Sequence, residues 1–209
     1  MYMMDGQNLL YDSLAYFGTW KIQSKIQELH AHGLNLIIIA VANAGSGRGR
    51  SKDYSWFENK GNPSGKGDKF LKFMSEELIP ELESKYKTVS GKRGIMGSSL
   101  GGLISLQALI EHPEVFQLGG IFSASFWFNP EAMKENYLNR IQSNQRLYLI
   151  IGENEGGGIP MANDQRQVSA ILSSYLPKDH IHAEVFADGD HKEWFWAREF
   201  VPVVKFLYH

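Results

Sequence analysis

The stretch Arg93-Gly94-Ile95-Met96-Gly97-Ser98-Ser99-Leu100-Gly101-Gly102-Leu103 changes character at its middle. Before Gly97 it is short and apolar, as a buried strand is. After Ser99 it opens a helix that runs to Glu111 and is closed by His112-Pro113. Between the two lies G-x-S-x-G, from Gly97 to Gly101. A strand that passes directly into a helix must turn sharply, and small residues two before and two after Ser99 keep that turn free of clashes. The Ser99 hydroxyl is thereby expected above a sheet, at the positive end of a helix. The N–H of Leu100 then points to where an oxygen becomes negative during acyl transfer, and one such donor is typically worth about 3–4 kcal/mol. The glycine spacing selects Ser99 over Ser98, and Gly102 lets helix and strand pack closely.

Outward from this turn, strands and helices alternate. Strands are predicted at 2–5, 34–42, 93–97, 118–123, 147–152 and 181–187, and helices at 20–32, 68–86, 100–111, 131–141, 164–175 and 193–207. Gly33 stops the first helix and Pro80 kinks the second. Strands that are apolar throughout, separated by amphipathic helices, imply an α/β fold with a mostly parallel sheet covered on both faces. No repeat or linker divides the 209 residues, so a single domain over 1–209 is expected. Ligands in such sheets bind beyond the carboxyl ends of the strands. The loops after Asp5, Gly97, Ser123, Gly152 and Ala187 should therefore gather on one rim. Residues 43–67 break the rhythm as a long Gly- and Ser-rich loop carrying Arg48, Arg50, Tyr54 and Trp56.

A serine hydroxyl needs a base. Of seven histidines, only His191 lies in a loop directly after a predicted strand on that rim, in Asp188-Gly189-Asp190-His191. It also follows the serine and the candidate acids in chain order. The acid that orients its imidazole is expected in Gly152-Glu153-Asn154-Glu155-Gly156, with Glu155 first and Glu153 second. Asp188 and Asp190 are closer in sequence but sit in the same tight turn as His191, where they could cap the last helix.

A formal charge of −2 with scattered basic residues gives no case for nucleic acid or an anionic membrane surface. The longest apolar run, Leu34 to Ala42, is too short to span a bilayer, and the first residues lack the pattern of a signal peptide. Cysteine is absent, which removes disulfides, thiolate metal sites and a cysteine nucleophile. A cytoplasmic setting is expected from this. Asp188, Asp190 and His191 lack a second suitably spaced histidine, so no metal and no cofactor is expected.

Further stretches carry a resemblance over essentially the whole chain. They are Tyr2-Met3-Met4-Asp5-Gly6-Gln7, Arg50-Ser51-Lys52-Asp53-Tyr54, Phe73 to Pro80, Gly97 to Gly102, Ser123-Ala124-Ser125-Phe126-Trp127, and Gly189-Asp190-His191 with Trp194 and Trp196. With them the chain resembles the esterase D-like family of α/β hydrolases. That family includes enterochelin, feruloyl and acetyl-xylan esterases, S-formylglutathione hydrolases and mycolyltransferases. The resemblance implies an α/β-hydrolase fold and cleavage of a small-molecule or carbohydrate ester by a serine mechanism. It implies that the Gln7 N–H is the second oxyanion donor and that Glu155 is the acid. It also implies that Asn8, Arg50, Tyr54 and Trp127 touch substrate.

Family members usually have two strands before Tyr-Met-Met-Asp-Gly, and this chain has neither. The run Leu34 to Ala42 would then form a long apolar sheet edge, which something should cover. A homodimer through that edge, or a longer protein of which this is a fragment, is expected. Two other readings use the same residues: an acyltransferase, in which an alcohol replaces water, and a non-catalytic binding protein on a hydrolase fold.

Overall fold

The computed structural model describes residues 1–13, 15, 18–45, 47–89 and 91–209. Six strands, β1 (Tyr2–Met4), β2 (Ile39–Val41), β3 (Gly94–Ser98), β4 (Leu118–Phe122), β5 (Arg146–Gly152) and β6 (Ile181–Phe186), form one sheet in the order β2-β1-β3-β4-β5-β6. Every adjacent pair is parallel, so all carboxyl ends lie on one rim, as the alternating pattern requires. The helices are α1 (Ile22–Ala31), α2 (Gly47–Asp53), α3 (Gly67–Phe73), α4 (Ile79–Lys85), α5 (Leu100–Glu111), α6 (Glu135–Leu138), α7 (Met161–Leu172) and α8 (Glu193–Tyr208).

Both faces of the sheet are apolar because successive strand side chains point to opposite sides. Tyr2, Met4, Ile95, Ile121, Leu147 and Leu149 pack under α3, α4, α5, α6 and α7. Met3, Met96, Phe122, Tyr148 and Ile150 pack on the other side, against Ile22 and Leu29 of α1 and the buried face of α8. This is the α/β-hydrolase arrangement. Among the described residues no helix is long and apolar enough to cross a membrane.

Three elements depart from the sequence reading. Only Ile39–Val41 of the run 34–42 pairs with β1, which itself offers three positions. Leu34, Leu36 and Ile38 instead pack against the α1–α8 face, so the apolar run serves helix packing more than pairing. The sheet edge is therefore three residues long, a short template for association. The stretch 43–67 contains α2 despite its glycines, because Arg50 and Tyr54 anchor it on Asp5 at the sheet rim and tertiary contacts override weak helix propensity. The helix expected over 131–141 is instead a 3-10 turn at Pro130–Met133 followed by α6, with Lys134 in an extended conformation between them.

Where a kink at Pro80 is expected, the helix runs on into α4. A π turn at Met74–Leu78 joins α3 to α4, and this wider turn precedes the proline ring and accommodates its missing N–H.

Candidate active site

Ser99 sits between β3 and α5 at φ 59 and ψ −124, a conformation that non-glycine residues rarely adopt and that costs about 1–3 kcal/mol. The surrounding turn holds it there. A Cβ on Gly97 would stand 2.6 Å from the Gly101 carbonyl, so the strand and helix can cross this closely only with glycine at that position. The Ser99 N–H donates to the Phe122 carbonyl at 2.9 Å, and its own carbonyl accepts the N–H groups of Leu103 and Ser125, both at 3.1 Å. Because the helical bonding starts at Leu103, the N–H of Leu100 has no partner within the helix. The Ser99 Oγ lies 3.1 Å from the Ser125 Oγ.

Since β5 and β6 are neighbours, the loops at their carboxyl ends meet. Glu155 comes from the first and His191 from the second. The Glu155 side chain is fully buried. Its Oε1 accepts the Gly152 N–H at 2.7 Å and the Ser123 hydroxyl at 2.8 Å, and its Oε2 lies 2.7 Å from His191 Nδ1. A carboxylate can only accept, so Nδ1 carries a proton and, in the neutral ring, Nε2 keeps its lone pair. The imidazole stands edge-on against the Trp196 ring, centroids 5.1 Å apart and planes at 85°.

The other acids are committed elsewhere. Glu153 pairs with Arg166 on the surface. Asp188 takes both Arg198 nitrogens, and Asp190 pairs with Lys192 while accepting the His191 backbone N–H. Neither aspartate caps α8, whose start has no side-chain cap.

On the far side of β3, Asp5 directly follows β1 in a left-handed conformation, φ 55, and opens a 3-10 turn at Gly6–Asn8. The first hydrogen bond of that turn comes from Asn8 N–H to the Asp5 carbonyl at 2.8 Å. The Gln7 N–H precedes it and has no acceptor within the turn. Asp5 is buried and held on every side. Arg50 Nε and Nη2 donate to its two carboxylate oxygens, each at 2.7 Å, and Asn43 Nδ2 donates to Oδ1 at 2.7 Å. The same Nη2 reaches the Ser98 carbonyl at 3.3 Å, which ties this turn to the serine turn. Burial opposes the charge of Arg50, but its hydrogen bonds to Asp5 and the attraction between them outweigh that, and its pKa is raised.

Of the four expected substrate contacts, Tyr54 is corrected. It is wholly buried, and its hydroxyl accepts the Asp5 N–H at 3.0 Å, so its visible role is to fix the turn that begins at Asp5. Burial pushes its phenol far above the ordinary tyrosine range, which keeps it neutral. Arg50 is likewise spent largely on Asp5. Asn8 has a buried Oδ1 without a hydrogen-bond partner among the described residues. Trp127 is exposed, two residues beyond Ser125, on a 3-10 turn at Phe126–Phe128.

Sequence reasoning gave no role to Asp5, Ser123, Ser125 and Trp196. Their signal was position: Asp5 and Ser123 each directly follow a strand on the catalytic rim. Glu193, in the first turn of α8, is a further buried carboxyl within electrostatic reach of His191, Asp5 and Arg50. Among the described residues, no three His, Cys, Asp or Glu side chains are grouped to hold a metal ion.

YbbA of Bacillus subtilis, uncharacterised, is 25% identical over 152 residues, covering 69% of this chain and 61% of YbbA. The ferri-bacillibactin esterase BesA of the same organism is 30% identical over 126 residues, covering 57% of this chain and 44% of BesA. The matched region is thus less than two thirds of the length of either relative. The BES protein of Bacillus cereus superposes with a TM-score of 0.77 at 23% identity, over 100% of this chain and 82% of the other, which is a likeness of fold. The sequence model of the family described as "Putative esterase" matches residues 1–207, and the chain belongs to that family.

Proposed function

We propose that this chain is a serine carboxylic ester hydrolase working through an acyl-enzyme. Ser99 Oγ attacks the ester carbonyl carbon as His191 Nε2 takes its proton. The tetrahedral intermediate places its negative oxygen between the N–H groups of Leu100 and Gln7. His191 then passes the proton to the leaving alcohol oxygen as the C–O bond breaks. In the second half, His191 takes a proton from water, the hydroxide attacks the acyl carbon, and Ser99 leaves reprotonated. Glu155 holds the imidazole in one tautomer and offsets its positive charge in both halves.

The observation that carries this reading is the 2.7 Å contact between buried Glu155 and His191 Nδ1, on the rim where Ser99 occupies a strained strand-to-helix turn. BesA is named a ferri-bacillibactin esterase, and the substrate proposed here is likewise an ester, of a small molecule or a carbohydrate.

The test is labelling by a fluorophosphonate probe alongside hydrolysis of p-nitrophenyl acetate, a siderophore lactone and an acetylated sugar. Wild type should label once, at Ser99. Ser99→Ala should neither label nor turn over while keeping its fold by circular dichroism. Hydrolysis by Ser99→Ala at the wild-type rate would defeat the proposal.

A further inference from the structure

We infer that Trp196 and Ser123 are positioning residues for the catalytic base: the indole N–H fixes the direction of the Ser123 hydroxyl, and that hydroxyl locks the Glu155 carboxylate onto His191. The inference rests on the roles proposed above for His191 and Glu155, and adds two residues to them.

Proton counting makes the direction unambiguous. An indole N–H can only donate. Trp196 Nε1 donates to Ser123 Oγ at 2.9 Å, occupying a lone pair of that oxygen. Ser123 has one hydroxyl proton, which goes to Glu155 Oε1 at 2.8 Å. The Gly152 N–H, at 2.7 Å, is the second donor to the same oxygen. With Oε1 taken by two donors, Oε2 is left for the imidazole. Ser123 and the Glu155 side chain are fully buried and Trp196 nearly so. Water therefore has little access with which to substitute for a missing link, and hydrogen bonds in such a chain polarise one another.

Three further observations support the assignment. Ser123 lies at φ 43, a strained conformation for a serine, and strain of this kind tends to be held where a side chain must be aimed. The turn it makes also places Ser125, whose N–H and Oγ contact Ser99, so one short loop touches both the nucleophile and the acid. Trp196 in turn borders the imidazole itself, at 5.1 Å between ring centroids. A single indole thus limits both the ring and the hydroxyl that holds its partner.

The experiment compares Ser123→Ala, Ser123→Gly, Trp196→Phe and Ser123→Ala/Trp196→Phe in the full chain. Glycine suits the positive φ and protects the test if alanine folds poorly, and phenylalanine keeps a ring against His191 while removing the N–H. The expected result is a kcat lower by about tenfold in the serine variants and a few-fold in Trp196→Phe, with KM within twofold of wild type. A transition-state role with unchanged ground-state binding reads in this way. The double variant should be no slower than Ser123→Ala, because the indole acts through the hydroxyl.

The downfield proton resonance of His191 Nδ1–H should move in every variant, while Asp190 and Glu193, which also act on His191 electrostatically, stay in place. Wild-type kcat in the serine variants, losses that multiply in the double variant, or a resonance that does not move would each overturn the inference. An active Ser99→Ala would instead overturn the mechanism on which it rests, so the two failures are distinguishable.

Discussion

The backbones of Gly152 and Gly189 touch: a Cβ on Gly152 would lie 2.2 Å from the Gly189 carbonyl oxygen. Gly152 ends β5 and Gly189 follows β6, and this contact sets the spacing between the loop that carries Glu155 and the loop that carries His191. The obstruction is main chain, so no rotamer change relieves it. Gly152→Ala should push the loops apart and cost about 1–3 kcal/mol of stability, the range for forced overpacking. Activity should fall further than stability accounts for, because the Glu155–His191 contact opens. Urea midpoints together with kcat measured well below the unfolding transition check this. A variant that is destabilised but fully active would mean the loop spacing is not what aligns the pair.

Arg50 and Asp5 form the corresponding brace on the proposed oxyanion side. Removing the guanidinium leaves Asp5, whose side chain is 8% exposed, with only Asn43 as a side-chain donor. Breaking a buried pair from one side typically costs about 3–5 kcal/mol. Arg50→Met should cost somewhat less, since the arginine side chain keeps 24% of its surface in solvent. Arg50→Lys keeps the charge and loses the two-pronged geometry, so it should recover part of the stability. Both variants should lower kcat, because Arg50 also reaches the Ser98 carbonyl beside the nucleophile. Denaturation curves and steady-state rates for the two variants give the comparison.

Tyr54 offers a cleaner test of the same turn. Tyr54→Phe removes only the oxygen that accepts the Asp5 N–H, leaving a buried donor unpaired at a cost of about 1–3 kcal/mol. If Tyr54 instead met substrate, the variant would raise KM and leave stability alone. The expected result is the reverse: a lower thermal midpoint with KM unchanged.

The fold was legible because its strands are continuously apolar runs separated by amphipathic helices, and the serine turn was legible because its glycines are required by a steric contact that any sequence must respect. His191 was legible by elimination, being the one histidine directly after a strand on the carboxyl rim. What sequence did not reveal is which polar residues meet across the fold. The bond from Ser123 to Glu155 spans 32 residues and that from Trp196 to Ser123 spans 73, and neither leaves a local pattern. The substrate contact that the resemblance implied for Tyr54 failed for the same reason, since its bond to Asp5 spans 49 residues and leaves no local pattern. The run from Leu34 to Ala42 misled in the opposite way, since continuous apolarity cannot distinguish residues that pair from residues that pack beneath helices.

Trp127 is 42% exposed beside the Ser125 contact to the nucleophile, and its ring rests on Phe128 at 5.8 Å. It is available to a bound ester in a way that Tyr54 is not. Trp127→Ala should change stability by no more than about 0.5 kcal/mol, as surface substitutions usually do. Its KM should rise severalfold with kcat little changed, the signature of binding shared by ground state and transition state. Reaction of Ser99 with a small fluorophosphonate should proceed at the wild-type rate. A fall in that rate would move Trp127 from substrate contact to support of the nucleophile loop.

Glu193 makes stability depend on pH in a direction opposite to most acids. Burial raises its pKa, and the charge of Asp5 adds to that, while the backbone, His191 and Arg50 act against it without reversing the shift. Below the ordinary value of 4.5 the carboxyl is protonated in both folded and unfolded chains and contributes nothing. As pH rises past 4.5 the unfolded chain loses this proton first. The folded chain then binds more protons, and its stability declines until the folded group also ionises. Above that point the full penalty of a buried carboxylate is present. Glu193→Gln should therefore stabilise the protein at pH 7.5, and the gain should vanish by pH 4. Urea midpoints of wild type and variant at those two pH values decide the matter. A variant less stable at pH 7.5 would mean that the attraction of Arg50 and His191 for the carboxylate exceeds the cost of burying it.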